Sequence, residues 1–149
     1  MKTVQSLLEN SELEKELEVI VVWDGYYPEF EIIGDPRVHY VHLGKNRGMR
    51  EAINAGVNQA RGKFIMRSDE HCMFGKGYDR IMTSECQPNW IMTARRYFLD
   101  PVKWEIMQEL KPVDCEKLVI QGGEKFSGQR WDERAEQFKD VPIIESQAM

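Results

Sequence analysis

Cysteine, histidine and proline are scarce in this 149-residue chain, at three, three and six residues. Cys72, Cys86 and Cys115 are odd in number and form no C-x-x-C pair, which suggests neither a disulfide framework nor a structural zinc site of the usual spacing. Reduced thiols in a cytosolic-type compartment follow as the default. No apolar run approaches the ~18 residues that a membrane-crossing helix needs. The stretch from Lys2 to Glu18 is amphipathic and acidic, unlike the apolar region of a signal peptide. Positive charge is also in deficit. The net charge of −5 argues against a general nucleic-acid binder, because neutralising a phosphate backbone takes a basic face. Internal repeats and low-complexity tracts are absent. The expectation is a soluble, cytoplasmic protein with no membrane span and no nucleic-acid partner.

What is present suits one domain. A hydrophobic fraction of 42% in a chain of this length is enough for a core. Val4, Leu7 and Leu8 fall on one face of a short helix within residues 2 to 10. Val19-Ile20-Val21-Val22-Trp23 is apolar without alternation, the pattern of a strand covered on both faces in a parallel sheet. It stops at the turn signal Asp24-Gly25. Pro28, Gly34 and Pro36 break the region that follows, and Val38 to Leu43 reads as a second strand. Met49, Ala52, Ile53, Gly56, Val57 and Ala60 then recur at helical spacing, with Gly62 as a C-cap. Lys63 to Arg67 reads as a third strand. Strand, helix and strand with short links make a βαβ unit and a mostly parallel sheet. A helix over Tyr78 to Cys86 and a strand over Trp90 to Phe98 follow. Val102 to Leu110 and Lys117 to Ile120 fit either strand or helix, Gly122-Gly123 is a joint, and Arg130 to Lys139 is a short polar helix.

The chemistry concentrates at the end of the third strand, where Asp69, Glu70 and His71 meet. In open α/β sheets, ligands bind beyond the carboxyl ends of strands. A carboxylate and an imidazole two residues apart on a loop can share one divalent ion. Oxygen donors with a single nitrogen suit manganese or magnesium better than zinc. The competing reading is a solvated acidic turn with an incidental histidine. Lys45, Arg47 and Arg50 stand at the entrance of the long helix, where cations and free backbone N–H groups can receive an anion; an ordinary charged helix entrance is the alternative. Asp24 either accepts a hydrogen bond from a heterocycle N–H or caps the turn with Gly25. Trp23 either stacks on a ligand or fills the core. His39 and His42 have opposite parity along their strand and so cannot form one site. Cys72 reads as a buried inert thiol. Glu124, Asp132 and Glu133 read as solvated surface, and no catalytic base can be assigned among them.

Taken together, these residues resemble the nucleotide-sugar-binding half of a GT-A glycosyltransferase of family 2 type. The resemblance rests on Val21-Val22-Trp23-Asp24-Gly25, a strand ending in an acidic turn. It rests further on Asn46, Gly48, Ala52, Asn54 and Gly56 of an N-x-G-x-x-x-A-x-N-x-G helix, and on Ala60-Arg61-Gly62 before a strand and metal motif. Thr3 to Leu8 looks like the family's first helix. Asp69-Glu70-His71-Cys72 is similar to the D-x-H-C of polypeptide N-acetylgalactosaminyltransferases. Trp23 stands where an acid is frequent, and Ile53 where an arginine is common. The family's opening strand has no counterpart here, and the acceptor-side segment would begin near Ser146 to Met149.

The resemblance implies a GT-A fold: a Rossmann-like, mostly parallel sheet flanked by helices, truncated at both ends. Residues 1–86 would form the nucleotide-sugar-binding part of a single domain, and 87–149 the beginning of an acceptor-side part. It implies a metal-dependent glycosyltransferase that moves a sugar from a nucleotide-diphosphate donor, a UDP-sugar, to an unknown acceptor. Asp69 and His71 would hold Mn2+ or Mg2+. Asp24, Arg47, Arg50 and Asp69 would contact the nucleotide sugar. A non-catalytic module that binds nucleotide or supports assembly is the alternative. A nucleotidyltransferase is disfavoured because no Gly-rich loop lies near the N-terminus. A sheet lacking an early strand leaves an open edge, from which self-association is expected.

Overall fold

The computed structural model describes residues 1–29, 32–123 and 125–137, with the backbone of 147–148. Helix α1 (Lys2–Asn10) forms where the apolar spacing places it. Its buried face carries Val4 and Leu7 but also the polar Thr3 and Ser6, whose hydroxyls need partners once removed from water. Those partners come from the distant segment 70–78. The amide of Cys72 donates to Thr3 Oγ1 at 3.0 Å, and that of Phe74 to Ser6 Oγ at 2.9 Å. The Thr3 hydroxyl itself donates to the Glu70 carbonyl. Further along, Gly77 N donates to the Asn10 carbonyl at 2.8 Å, and the Tyr78 hydroxyl to that of Leu7 at 3.3 Å. The loop that bears the acidic motif therefore hangs on α1.

Strands β1 (Val19–Trp23) and β2 (Val38–His42) pair in parallel, with Val19 opposite Val38 and Trp23 opposite His42. Val19 and Val38 join Val4, Leu7, Cys72, Phe74 and Tyr78 in the buried core, with Val21 and Tyr40 packed against it. Ile20 and Val22 lie on the other face, under helix α2 (Met49–Gln59). There a Cβ added to Gly56 would come within 3.3 Å of Val22 Cγ2, so the glycine sets how closely α2 approaches the sheet. Both faces of β1 are thus covered, as its unbroken apolar run requires. The histidines alternate as their parity demands. His39 lies 3.6 Å from Glu18, and His42 stacks on Tyr27 with ring centroids 5.3 Å apart.

Helix α3 (Tyr78–Glu85) agrees with the expected span. Its first-turn Asp79 accepts hydrogen bonds from the amides of Glu12 and Leu13, both at 3.0 Å, and from the Ser11 hydroxyl. Burial pushes the Asp79 carboxyl up, but these donors outweigh it and hold its pKa below the ordinary value. One carboxylate thereby ties the chain leaving α1 to the start of α3.

The sheet is much smaller than expected. Lys63 to Arg67 is not a strand, because among the described residues β1 pairs only with β2 and no strand lies beside the segment. Phe64, Ile65 and Met66 remain 44%, 56% and 43% exposed. Gly62 is not the cap of α2, which ends at Gln59 with Ala60 already extended. The expected strand from Trp90 to Phe98 shrinks to β3 (Arg96–Tyr97), preceded by Asn89 at φ 65°. Beyond it the pairing is mostly antiparallel. β4 (Leu99–Asp100) pairs with β5 (Glu105–Ile106), and β6 (Glu116–Gln121) with β7 (Lys125–Arg130) around Gly122 and Gly123 at positive φ. Helix α4 (Asp132–Glu136) follows, and β8 (Gln147–Ala148) runs parallel to β3. The bidentate Arg95–Asp114 pair and the Arg96–Val113 bridge join these pieces. No helix among the described residues is long and apolar enough to cross a membrane.

Candidate functional site

Asp24 and Gly25 leave the end of β1 and dock on the loop that enters α2. Asp24 accepts the Arg47 amide at 2.7 Å on one carboxylate oxygen and the Gly48 amide at 2.8 Å on the other. Gly25, at φ +77°, lies so close to the same loop that an added Cβ would sit 2.2 Å from Asn46 N. The turn-capping reading of Asp24 is thus realised in the geometry. Any contact to a ligand N–H must use lone pairs that these amides leave over. Trp23 packs among aromatic rings, with Tyr40 stacked at 6.1 Å and an interplanar angle of 4°.

The latch shapes an open cleft of about 340 Å3 lined by Lys45, Asn46, Arg47 and Glu51. Arg47 lies 3.6 Å from Glu51, one helical turn away, and Arg50 is exposed beside it. The first turn of a helix presents N–H groups without intrahelical partners, and Lys45, Arg47 and Arg50 add positive charge there. Chemically this mouth can receive an anion.

The acidic segment reaches the same mouth. Arg67 forms an ion pair with Asp69, and the same Nη2 atom approaches Met49 Sδ, at the first position of α2, to 3.6 Å. One guanidinium therefore separates the Asp69 carboxylate from the α2 entrance. The side chains of Asp69 and His71 are 30% and 53% exposed, so neither is lost in the core. Glu70 Oε1 lies 3.6 Å from His71 Nδ1. Its own backbone N–H, with smaller contributions from the neighbouring His71 and Arg67, holds the Glu70 carboxyl below its ordinary pKa. Cys72 is fully buried, as expected of an inert thiol.

Asp69 and His71 offer one carboxylate and one imidazole. Among the described residues, no cluster of three or more carboxylates, imidazoles and thiols forms a ready-made metal cage. Two donors of this kind fit a divalent ion whose other positions are filled by oxygens of water or of a ligand, the usual habit of magnesium with phosphates. By donor type alone, a carboxylate and an imidazole suit a metal that also takes diphosphate oxygens.

Thr3 and Ser6 escaped the sequence reading. Both lie on the apolar stripe of α1, and their polarity at buried positions was the signal available. Of the surface carboxylates, Asp132 and Glu133 open α4, and Glu124 lies outside the described residues.

The model of a family described as "Glycosyl transferase family 2" matches residues 1–127. The chain belongs to glycosyl transferase family 2. As a family 2 member it is a glycosyltransferase, and the family implies a GT-A fold, of which this chain shows small mixed sheets with flanking helices. The family 2 match runs beyond residue 86, where the resemblance in the sequence ended, and takes in β3 to β6. Comparisons with curated proteins and with solved structures each gave no significant match.

Proposed function

We propose that the chain transfers a sugar from a UDP-sugar to an acceptor at the mouth shared by α2 and the acidic segment, with a divalent cation held by Asp69 and His71. The observation that supports this reading is the guanidinium of Arg67, which touches both Asp69 and the first residue of α2. Through it, the α2 entrance and the Asp69 carboxylate become neighbours, with His71 two residues further along the chain. When bound, Mn2+ or Mg2+ supplies neutralisation of the charge that develops on a departing diphosphate. Lys45, Arg47 and Arg50 attract and orient the phosphates. Asp24 keeps the α2 entrance fixed against β1 and lies where a base N–H can reach its remaining lone pairs. Residues 1–86 form the donor side, and 87–149 begin the acceptor side. Cys72, Cys86 and Cys115 form no disulfide with one another, which agrees with a reducing, cytoplasmic setting. Among the described residues no further strand flanks the β1–β2 ribbon, which leaves its edges open to self-association.

A second reading, a nucleotide-binding module without turnover, is favoured by one observation. The carboxylates at the start of α4 are exposed to solvent, the setting of surface charges rather than of a base that deprotonates an acceptor. Incubation with a panel of UDP-sugars and Mn2+, followed by measurement of released UDP, separates the two. Mn2+-dependent release above the protein-free rate is the expected result. Metal-dependent UDP binding without release assigns the module reading, and absence of both binding and release rejects the donor site.

A further inference from the structure

We propose that Arg67 is a resident counter-cation for Asp69, displaced when a divalent ion binds and thereby freed to take a phosphate. The inference rests on the donor-site reading above and concerns this chain's own side chains. Arg67 Nη2 donates to Asp69 Oδ1, so the expected metal carboxylate already has a positive partner. The side chain is half exposed, and its Nη2 also approaches the weak acceptor Met49 Sδ at 3.6 Å. The guanidinium also exerts a weak pull on the Glu70 carboxylate, but its half exposure means that a swing away from Asp69 carries little burial penalty. A guanidinium that leaves Asp69 at this place meets the entrance of α2, where Lys45 and Arg47 line the open cleft. A planar fork of N–H donors suits a phosphate there.

Two consequences follow from charge alone. A divalent ion arriving by itself must break the Arg67–Asp69 pair, so its affinity is lowered. An ion arriving with a diphosphate gives Arg67 a new anionic partner, so metal and diphosphate bind with positive coupling. Exposed ion pairs contribute up to about 1 kcal/mol, equivalent to a factor of up to about five in affinity.

The test is Mn2+ binding, followed by the paramagnetic resonance of free Mn2+, for the wild type, Arg67→Met and Arg67→Lys, each with and without inorganic pyrophosphate. Arg67→Met is expected to bind Mn2+ alone about threefold to fivefold more tightly than wild type. Pyrophosphate is expected to tighten Mn2+ binding less in Arg67→Met than in wild type. Arg67→Lys, which keeps the cation, is expected to retain most of the wild-type weakness and coupling. Equal Mn2+ affinity in wild type and Arg67→Met, or undiminished coupling in that variant, overturns the proposal. Asp69→Asn placed on the Arg67→Met background separates the two levels. If it removes Mn2+ binding while Arg67→Met matches wild type, only the role of Arg67 fails. If Mn2+ binding is absent throughout or indifferent to Asp69, the metal-site reading fails, and the role of Arg67 with it.

Discussion

Gly25→Ala is expected to destabilise the protein by more than about 3 kcal/mol, because it combines backbone strain with overpacking. Gly25 stands at φ +77°, and its missing Cβ would lie 2.2 Å from Asn46 N and 2.6 Å from Lys45 C. The left-handed backbone alone costs an alanine about 1–2 kcal/mol. The clash adds to that, since its partners are backbone atoms already held by Asp24 through the Arg47 and Gly48 amides. Gly44 supplies the control. It has a similar φ of +71° but open space where its Cβ would stand, so Gly44→Ala isolates the strain. Chemical denaturation should show Gly25→Ala losing clearly more stability than Gly44→Ala, together with weakened UDP binding as the β1–α2 latch opens. Equal losses in the two variants would show that the latch does not hold the loop.

Thr3→Val should have the second large effect. The substitution keeps the shape of the side chain and removes only the hydroxyl. That hydroxyl donates to the Glu70 carbonyl and accepts the Cys72 amide at 3.0 Å, clamping the chain on both sides of His71. Leaving a buried polar group without its partner costs about 1–3 kcal/mol, and Thr3 itself is buried. The expected result is a stability loss of that order, faster hydrogen exchange at the Cys72 amide, and weaker Mn2+ binding as His71 loses its anchored flanks. Thr3→Ser keeps both hydrogen bonds and should remain near wild type in exchange and metal affinity. A Thr3→Val protein indistinguishable from Thr3→Ser would show that α1 does not position the acidic loop.

Local signals in the sequence carried much of the fold. Helices α1, α2 and α3 announce themselves through apolar spacing, and β1 through its unbroken run from Val19 to Trp23. The third strand failed for a reason no local pattern contains. Lys63 to Arg67 has suitable composition, but a strand exists only beside another strand, and none flanks this one among the described residues. The same blindness hid Thr3 and Ser6. Their partners lie 69 and 68 residues away, so the helix pattern showed two polar residues on an apolar stripe and nothing more. Within the site, the types of Asp69, His71, Arg47 and Arg50 were readable, and so was the turn at Asp24-Gly25. That Asp24 would grip the amides of Arg47 and Gly48, and that Arg67 would pair with Asp69, required the chain to be folded.

Calorimetric titration of UDP into the wild type and Asp69→Asn, with and without Mn2+, tests the donor site most directly. Asp69 is about one-third exposed, and Asn preserves its size, so the fold should survive the change. Mn2+ is expected to tighten UDP binding in the wild type and to have no effect in Asp69→Asn. The same Mn2+-dependent gain in both proteins would contradict the placement of the metal at Asp69.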